Sequence, residues 1–208
     1  MIPNDGNFGT TWDNTNYSLT AGVFSEGFAS DSLDVADWTR STDHLLALVA
    51  HGKILILQDY LRGKPEDIAL RMFYLGNYLL LKADPGLPET MYLCYFAVHT
   101  LEWYPEWGLD LGPATKQAAR TAADLKRPNA PGIYQRIFEK GFVFVNPSTA
   151  PITVQLTTPM HEIIPKGGGA VGVDGAVTPP PSLARETVSS VVVAAKSASI
   201  LLHPSDSV

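Results

Sequence analysis

Cysteine is almost absent from this sequence: Cys94 stands alone among 208 residues, which excludes an internal disulfide framework and any cysteine-based metal cluster. Basic runs are missing too. The longest Lys/Arg block is Lys126-Arg127, and a formal net charge of −6 with a pI near 5.3 gives no electrostatic footprint for nucleic acid or an anionic membrane. No apolar stretch reaches the ~20 residues that a bilayer crossing needs; the longest, around Leu45–Ala50 and Ser190–Leu202, are short or broken by Lys196 and serines. Met1-Ile2-Pro3-Asn4-Asp5-Gly6-Asn7 has neither a basic nor an apolar leader region, so no signal peptide is expected in this chain. The expected location is therefore the cytoplasm, unless the chain is a fragment of a secreted protein.

Two catalytic signatures are also lacking. The Gly-x-Ser-x-Gly elbow of serine hydrolases is missed by one residue in Gly22-Val23-Phe24-Ser25-Glu26-Gly27, so Ser25 is a poor nucleophile candidate. His44, His51, His99, His161 and His203 never recur at the His-x-x-x-His spacing that puts two metal ligands on one helix face, so no metal and no other cofactor is expected. His99 reads as structural, and Cys94, inside the apolar run Met91–Phe96, reads as a buried, inert thiol.

What the sequence does have is apolar content. Hydrophobic residues make up 45% and charged residues 17%, a balance that builds a core and does not fit a disordered chain. Upstream of residue 130, strand-like runs alternate with helix-like segments: Ala21–Ser25, Leu33–His51, Lys53–Gln58, Pro65–Tyr74 and Tyr78–Leu81. Such alternation predicts βαβ units and a parallel sheet. Ile54–Leu57, apolar at four successive positions, suits a strand covered on both faces. Asp31 or Ser32 can cap the first helix and Gly52 can close it, while Pro65 and its neighbouring acids suit the start of the second.

Lys126-Arg127-Pro128-Asn129-Ala130-Pro131-Gly132 breaks both patterns and predicts a boundary, giving domains 1–130 and 131–208. Beyond it come short β runs, Phe142–Asn146, Ile152–Leu156, His161–Ile164, Thr187–Val193 and Ala198–Leu202, as in an antiparallel β-sandwich. Gly167–Pro181, rich in glycine and proline, reads as a mobile loop.

Two carboxylates lie just past strand-like runs, Glu26 and Asp59. Side chains at the carboxyl ends of parallel strands converge on the ligand site, so these are the first catalytic candidates, with helix capping as the plain alternative. A second group is Leu101-Glu102-Trp103-Tyr104-Pro105-Glu106-Trp107-Gly108-Leu109-Asp110. Aromatic rings stack on the C–H faces of sugars and carboxylates accept hydroxyl hydrogen bonds, so Glu102, Trp103, Tyr104, Glu106, Trp107 and Asp110 suit a carbohydrate surface; an interface patch would look the same.

A family resemblance rests on these same segments. Gly22–Phe28, Gly52–Tyr60, Asn77–Lys82 and Glu102–Gly112 resemble the later half of the barrel in glycoside-hydrolase-like (β/α)₈ proteins. Tyr134-x-Arg136-x-Phe138 through Ser148 resembles the passage into their C-terminal β-domain, and Ser190–Leu202 its closing hairpin. The resemblance implies a partial (β/α) barrel of about four units followed by an antiparallel β-sandwich. It implies a carbohydrate-active hydrolase using Glu26 with Asp59 as paired carboxylates, one a proton donor and the other kept ionised, with Tyr60 among the substrate contacts. The alternatives are a non-catalytic carbohydrate-binding or interaction module, or an ester or amide hydrolase on a rearranged half-barrel. A full barrel takes about 250 residues, so the expectation is a fragment of a longer chain, a half-barrel completed by a second copy in a homo-oligomer, or a rearranged fold.

Overall fold

The structure, a computed structural model, describes residues 1–2, 4, 19–60, 65–95 and 100–204. It opens with a βαβαβ run: β1 (Gly22–Glu26), α1 (Val35–Ala50), β2 (Ile54–Tyr60), α2 (Ile68–Leu80) and β3 (Thr90–Tyr95), with strand order β1-β2-β3, all parallel. Each helix starts on an aspartate. Asp34 accepts the Asp37 N–H at 2.8 Å and Asp67 accepts the Leu70 N–H at 3.0 Å, satisfying donors that a helix cannot use internally. The first cap is thus Asp34, not Asp31 or Ser32. After α1, Gly52 at φ +68° takes the left-handed turn that a side chain resists, as its position predicts.

The second helix corrects the sequence reading. Tyr78–Leu81, expected as a strand, is the end of α2 and its cap, because a short apolar run reads alike in a strand and in a buried helix. The third strand is instead β3, which takes in most of the apolar run around Cys94. α2 is buried almost all round, from Leu70 through Leu80, as expected of a helix lying between two layers.

Its outer layer is antiparallel. β5 (Tyr134–Phe138), β6 (Gly141–Asn146), β7 (Ile152–Lys166), β10 (Ser182–Val193) and β11 (Ser197–Leu202) form one sheet in the order β10-β7-β11-β6-β5. Val143, Val145, Ala198, Ile200 and Leu202 join α2 in the main core, while Phe144, Val154, Met160, Val191, Val193 and Leu201 build a second cluster. All six residues of β11 are accordingly buried. Gly76 lets α2 and the sheet meet: a Cβ there would fall inside contact distance of Ala198 Cβ and 3.0 Å from Val145 Cγ2. The main core runs without interruption from Val23 to Leu202, across the expected boundary at 126–132.

Gly167–Pro181, expected as a loop, carries two short strands, β8 (Gly169–Val171) and β9 (Val177–Thr178), which join β4 (Glu102–Trp103) in a small antiparallel sheet, order β4-β8-β9. Its glycines permit close approach: a Cβ on Gly168 would lie 2.8 Å from Tyr104 Cδ1. Among the described residues no helix is long and apolar enough to cross a membrane.

Candidate functional site

The carboxyl ends of β1, β2 and β3 lie side by side, with Glu26 opposite Gln58 and Tyr60 opposite Tyr95. Side chains alternate across a sheet, so Glu26, Gln58 and Tyr60 share one face, with Asp59 on the other. The Tyr60 hydroxyl donates to Glu26 Oε1, and Asn4 Nδ2 donates to Oε2 at 3.4 Å. Asn4 gets there because it bridges Phe24 in parallel on the side of β1 away from β2, close to where Ala21 N–H donates to the Met1 carbonyl at 3.1 Å. Both oxygens of Glu26 thus accept from neutral donors, which fixes the carboxylate at a strand end. This face is apolar behind them: Phe24, Ile54 and Ile56 are half-buried, and Met91 and Leu93 are 46% and 47% exposed.

Asp59 is not brought to Glu26. It is 1% exposed on the helix-covered face, with Cys94 as its register partner. Burial raises the Cys94 thiol to about 12; a Tyr92 hydrogen bond works the other way, and the charges of Asp59, Glu102 and Glu106 add to the rise. Burial and the neighbouring Cys94 and Asp59 likewise push the Tyr92 phenol up. The thiol therefore stays protonated, in line with an inert cysteine. His99 lies outside the described residues.

The aromatic and acidic segment splits in two. Tyr104 is fully buried and Glu106 is 2% exposed. Glu106 takes Arg71 Nε and Nη2 at 2.8 and 3.0 Å, and the guanidinium lies 4.4 Å from the centre of the Tyr104 ring. Arg71 also donates to the carbonyls of Pro65 and Gly167, both at 2.9 Å, so this corner ties α2 to the start of the small sheet. Asp110 accepts from Lys140 and from the Gly112 N–H, and Lys140 holds its carboxyl below the ordinary range. Glu102 is placed in β4 opposite Ala170. Trp103 is 42% exposed, edge-on to Trp107 at 6.1 Å. Trp107 closes a cleft of about 240 Å³ with Leu75, Tyr78, Tyr92 and Cys94, where Tyr78 and Tyr92 stack at 4.9 Å.

Sequence reasoning missed Asn4, whose setting of one isoleucine and a proline gives no strand signal, and Gln58, only 5% exposed on the Glu26 face. Arg71 had a usable signal: a lone cation in an apolar helix needs a buried acid. Among the described residues no group of three His, Cys, Asp or Glu is placed to hold a metal ion.

In parallel α/β sheets ligand sites form at the carboxyl ends of the strands, the edge at which Glu26 lies. The family model described as hypothetical glycosyl hydrolase family 15 matches residues 1–142, and the chain belongs to that family. No curated protein and no solved structure matches the chain.

Proposed function

We infer that this chain is a carbohydrate-active hydrolase of glycoside-hydrolase type, with Glu26 as its catalytic carboxylate. The observation that carries this reading is the Asn4–Glu26–Tyr60 cluster at the ends of adjacent parallel strands. Held by two donors, Glu26 is oriented to act either as nucleophile on the anomeric carbon or as base on the water that attacks it, and Tyr60 positions it and meets the substrate. The acid that completes the pair comes from an element other than β2, since Asp59 faces the helices; the separation of the two carboxyl groups decides between retention and inversion. The βαβαβ run is then part of a (β/α) barrel, with 131–208 as its C-terminal β-sandwich. Its apolar inner face is covered by a second copy in a homo-oligomer, which light scattering coupled to size exclusion would reveal. A concentration-independent mass near 22.5 kDa would remove that part of the reading.

The test is a panel of chromogenic glycosides and polysaccharides. Glu26→Gln should lose at least ~10²-fold in turnover, the usual worth of a positioned acid or base, with its melt unchanged. Tyr60→Phe should fall between the variant and the parent. A folded Glu26→Gln protein with full activity would end the assignment.

A second reading, a carbohydrate-binding module without turnover, is favoured by the exposed Trp103 beside Trp107. A stacked ring adds about 1 kcal/mol, so glycan titration should weaken severalfold in Trp103→Ala. Binding unchanged in both Trp103→Ala and Trp107→Ala would dismiss it.

A further inference from the structure

A second cavity, about 260 Å³, opens at the other end of the parallel sheet, where α1 and α2 finish and β3 begins. It is independent of the Glu26 reading. In a chain with a net charge of −6, its lining holds four cations, Lys82, Lys116, Arg120 and Arg136, against one acid, Asp84; Lys82 is paired with Glu89 at 2.9 Å, which leaves three cations to that one acid. That acid is already fully used. Its oxygens accept from Arg136 Nη2 at 2.6 Å and from the backbone N–H groups of Gln117 and Ala118 at 3.2 and 2.8 Å.

The consequence is a folded rim. Asp84 pulls the segment 116–120 over the cavity, with Ala118 in the left-handed region at φ 49°, a conformation a non-glycine residue holds only when its surroundings impose it. This sets Lys116 and Arg120, both exposed, in the lining of the cavity. Arg136, 2% exposed, lines the interior, and its buried Nε has no acceptor in the protein. Native structures seldom leave such a donor unmet. Leu46, Val49 and Leu87 supply an apolar wall.

We propose that this cavity binds a small organic anion of monosaccharide size, its carboxylate or phosphate set among Lys116, Arg120 and Arg136 and its carbon skeleton against the leucine and valine wall. The volume suits one sugar ring and is near the lower end of small-molecule sites. A neutral sugar leaves Lys116 and Arg120 unanswered, so charge is the discriminating feature.

The test is titration of the full chain, by calorimetry and amide chemical shifts, with glucuronate, glucose 6-phosphate, inorganic phosphate and neutral glucose. The organic anions should bind saturably, shift the amides of Leu87 and residues 116–120, and weaken as salt rises, while glucose stays silent. The preferred anion identifies the head group, carboxylate or phosphate. Lys116→Gln/Arg120→Gln, which changes only exposed side chains, should weaken binding at least fivefold with the melt unchanged; should it fail to fold, the salt dependence and shift map of the parent still decide. No saturable binding, equal binding of glucose, shifts elsewhere, or inorganic phosphate bound as well as both organic anions would overturn the proposal.

Discussion

Glu106→Gln separates a structural acid from a substrate ligand. In the structure Glu106 is the two-oxygen partner of Arg71, with side-chain exposures of 0% and 3%. Removing one member of a buried ion pair costs about 3–5 kcal/mol, because the other charge is left in a poor solvent. Glutamine still offers one acceptor, and Arg71 keeps the Pro65 and Gly167 carbonyls and its place on Tyr104, so the loss should lie near ~3 kcal/mol at the low end of that range. Arg71→Met strands the Glu106 carboxylate and two carbonyls together, so it should reach ~5 kcal/mol, the high end. Arg71→Met/Glu106→Gln should cost less than the sum, since no charge is left unpaired, with a coupling of about 1–3 kcal/mol. Urea unfolding reads all three, and for a chain of this size each kcal/mol moves the melt by about 2–4 °C. If Glu106→Gln stays within ~0.5 kcal/mol of the parent, as surface changes do, the corner is not the clamp described.

Other outcomes follow from the same packing. Burial would raise the Asp84 carboxyl, but the Gln117 and Ala118 N–H groups and Arg136 outweigh it and hold it below the ordinary range. The stability it adds is thus present above the unfolded value of ~3.9 and drains away as pH falls through the lower folded value; melts from neutral to acid should fall more steeply for the parent than for Asp84→Asn, and parallel curves would refute this. Cys94, raised to about 12, should be alkylated at pH 8 far more slowly in the folded chain than in urea, with equal rates as the contrary result. Gly76→Ala gains about 1 kcal/mol of helix propensity but overpacks against Ala198 and Val145 at ~1–3 kcal/mol; a net loss is expected, and a stabilised variant would contradict the close approach.

Local chemistry was legible wherever one short segment decides. Asp34 caps α1 where Asp31 or Ser32 is expected, three and two residues away, Asp67 is among the acids expected at the start of α2, and Gly52 ends α1 as expected. Long-range placement was not. Tyr78–Leu81 reads as a strand because so short an apolar run shows no helical period, and the burial of α2 that accounts for it comes from two sheets distant in sequence. Gly167–Pro181 read as a loop because its strands are two and three residues long and are held by partners, β4 and Arg71, far away in sequence.

Glu26 and Asp59 show the limit most clearly. Both lie past a strand-like run, but sidedness in a sheet has a period of two, so one position along β2 separates a residue beside Glu26 from one against the helices. Tyr60, one step further, reaches Glu26. Register, which fixes that parity, depends on how far β1 and β2 slide past one another, and no single strand contains the information. Gly22 opposite Ile54 supplies it: a Cβ on Gly22 would collide with the Ile54 carbonyl, so the absence of a side chain permits this pairing and, four residues on, brings Glu26 level with Gln58. The glycine at the start of β1 thereby helps to decide which polar groups meet at its end.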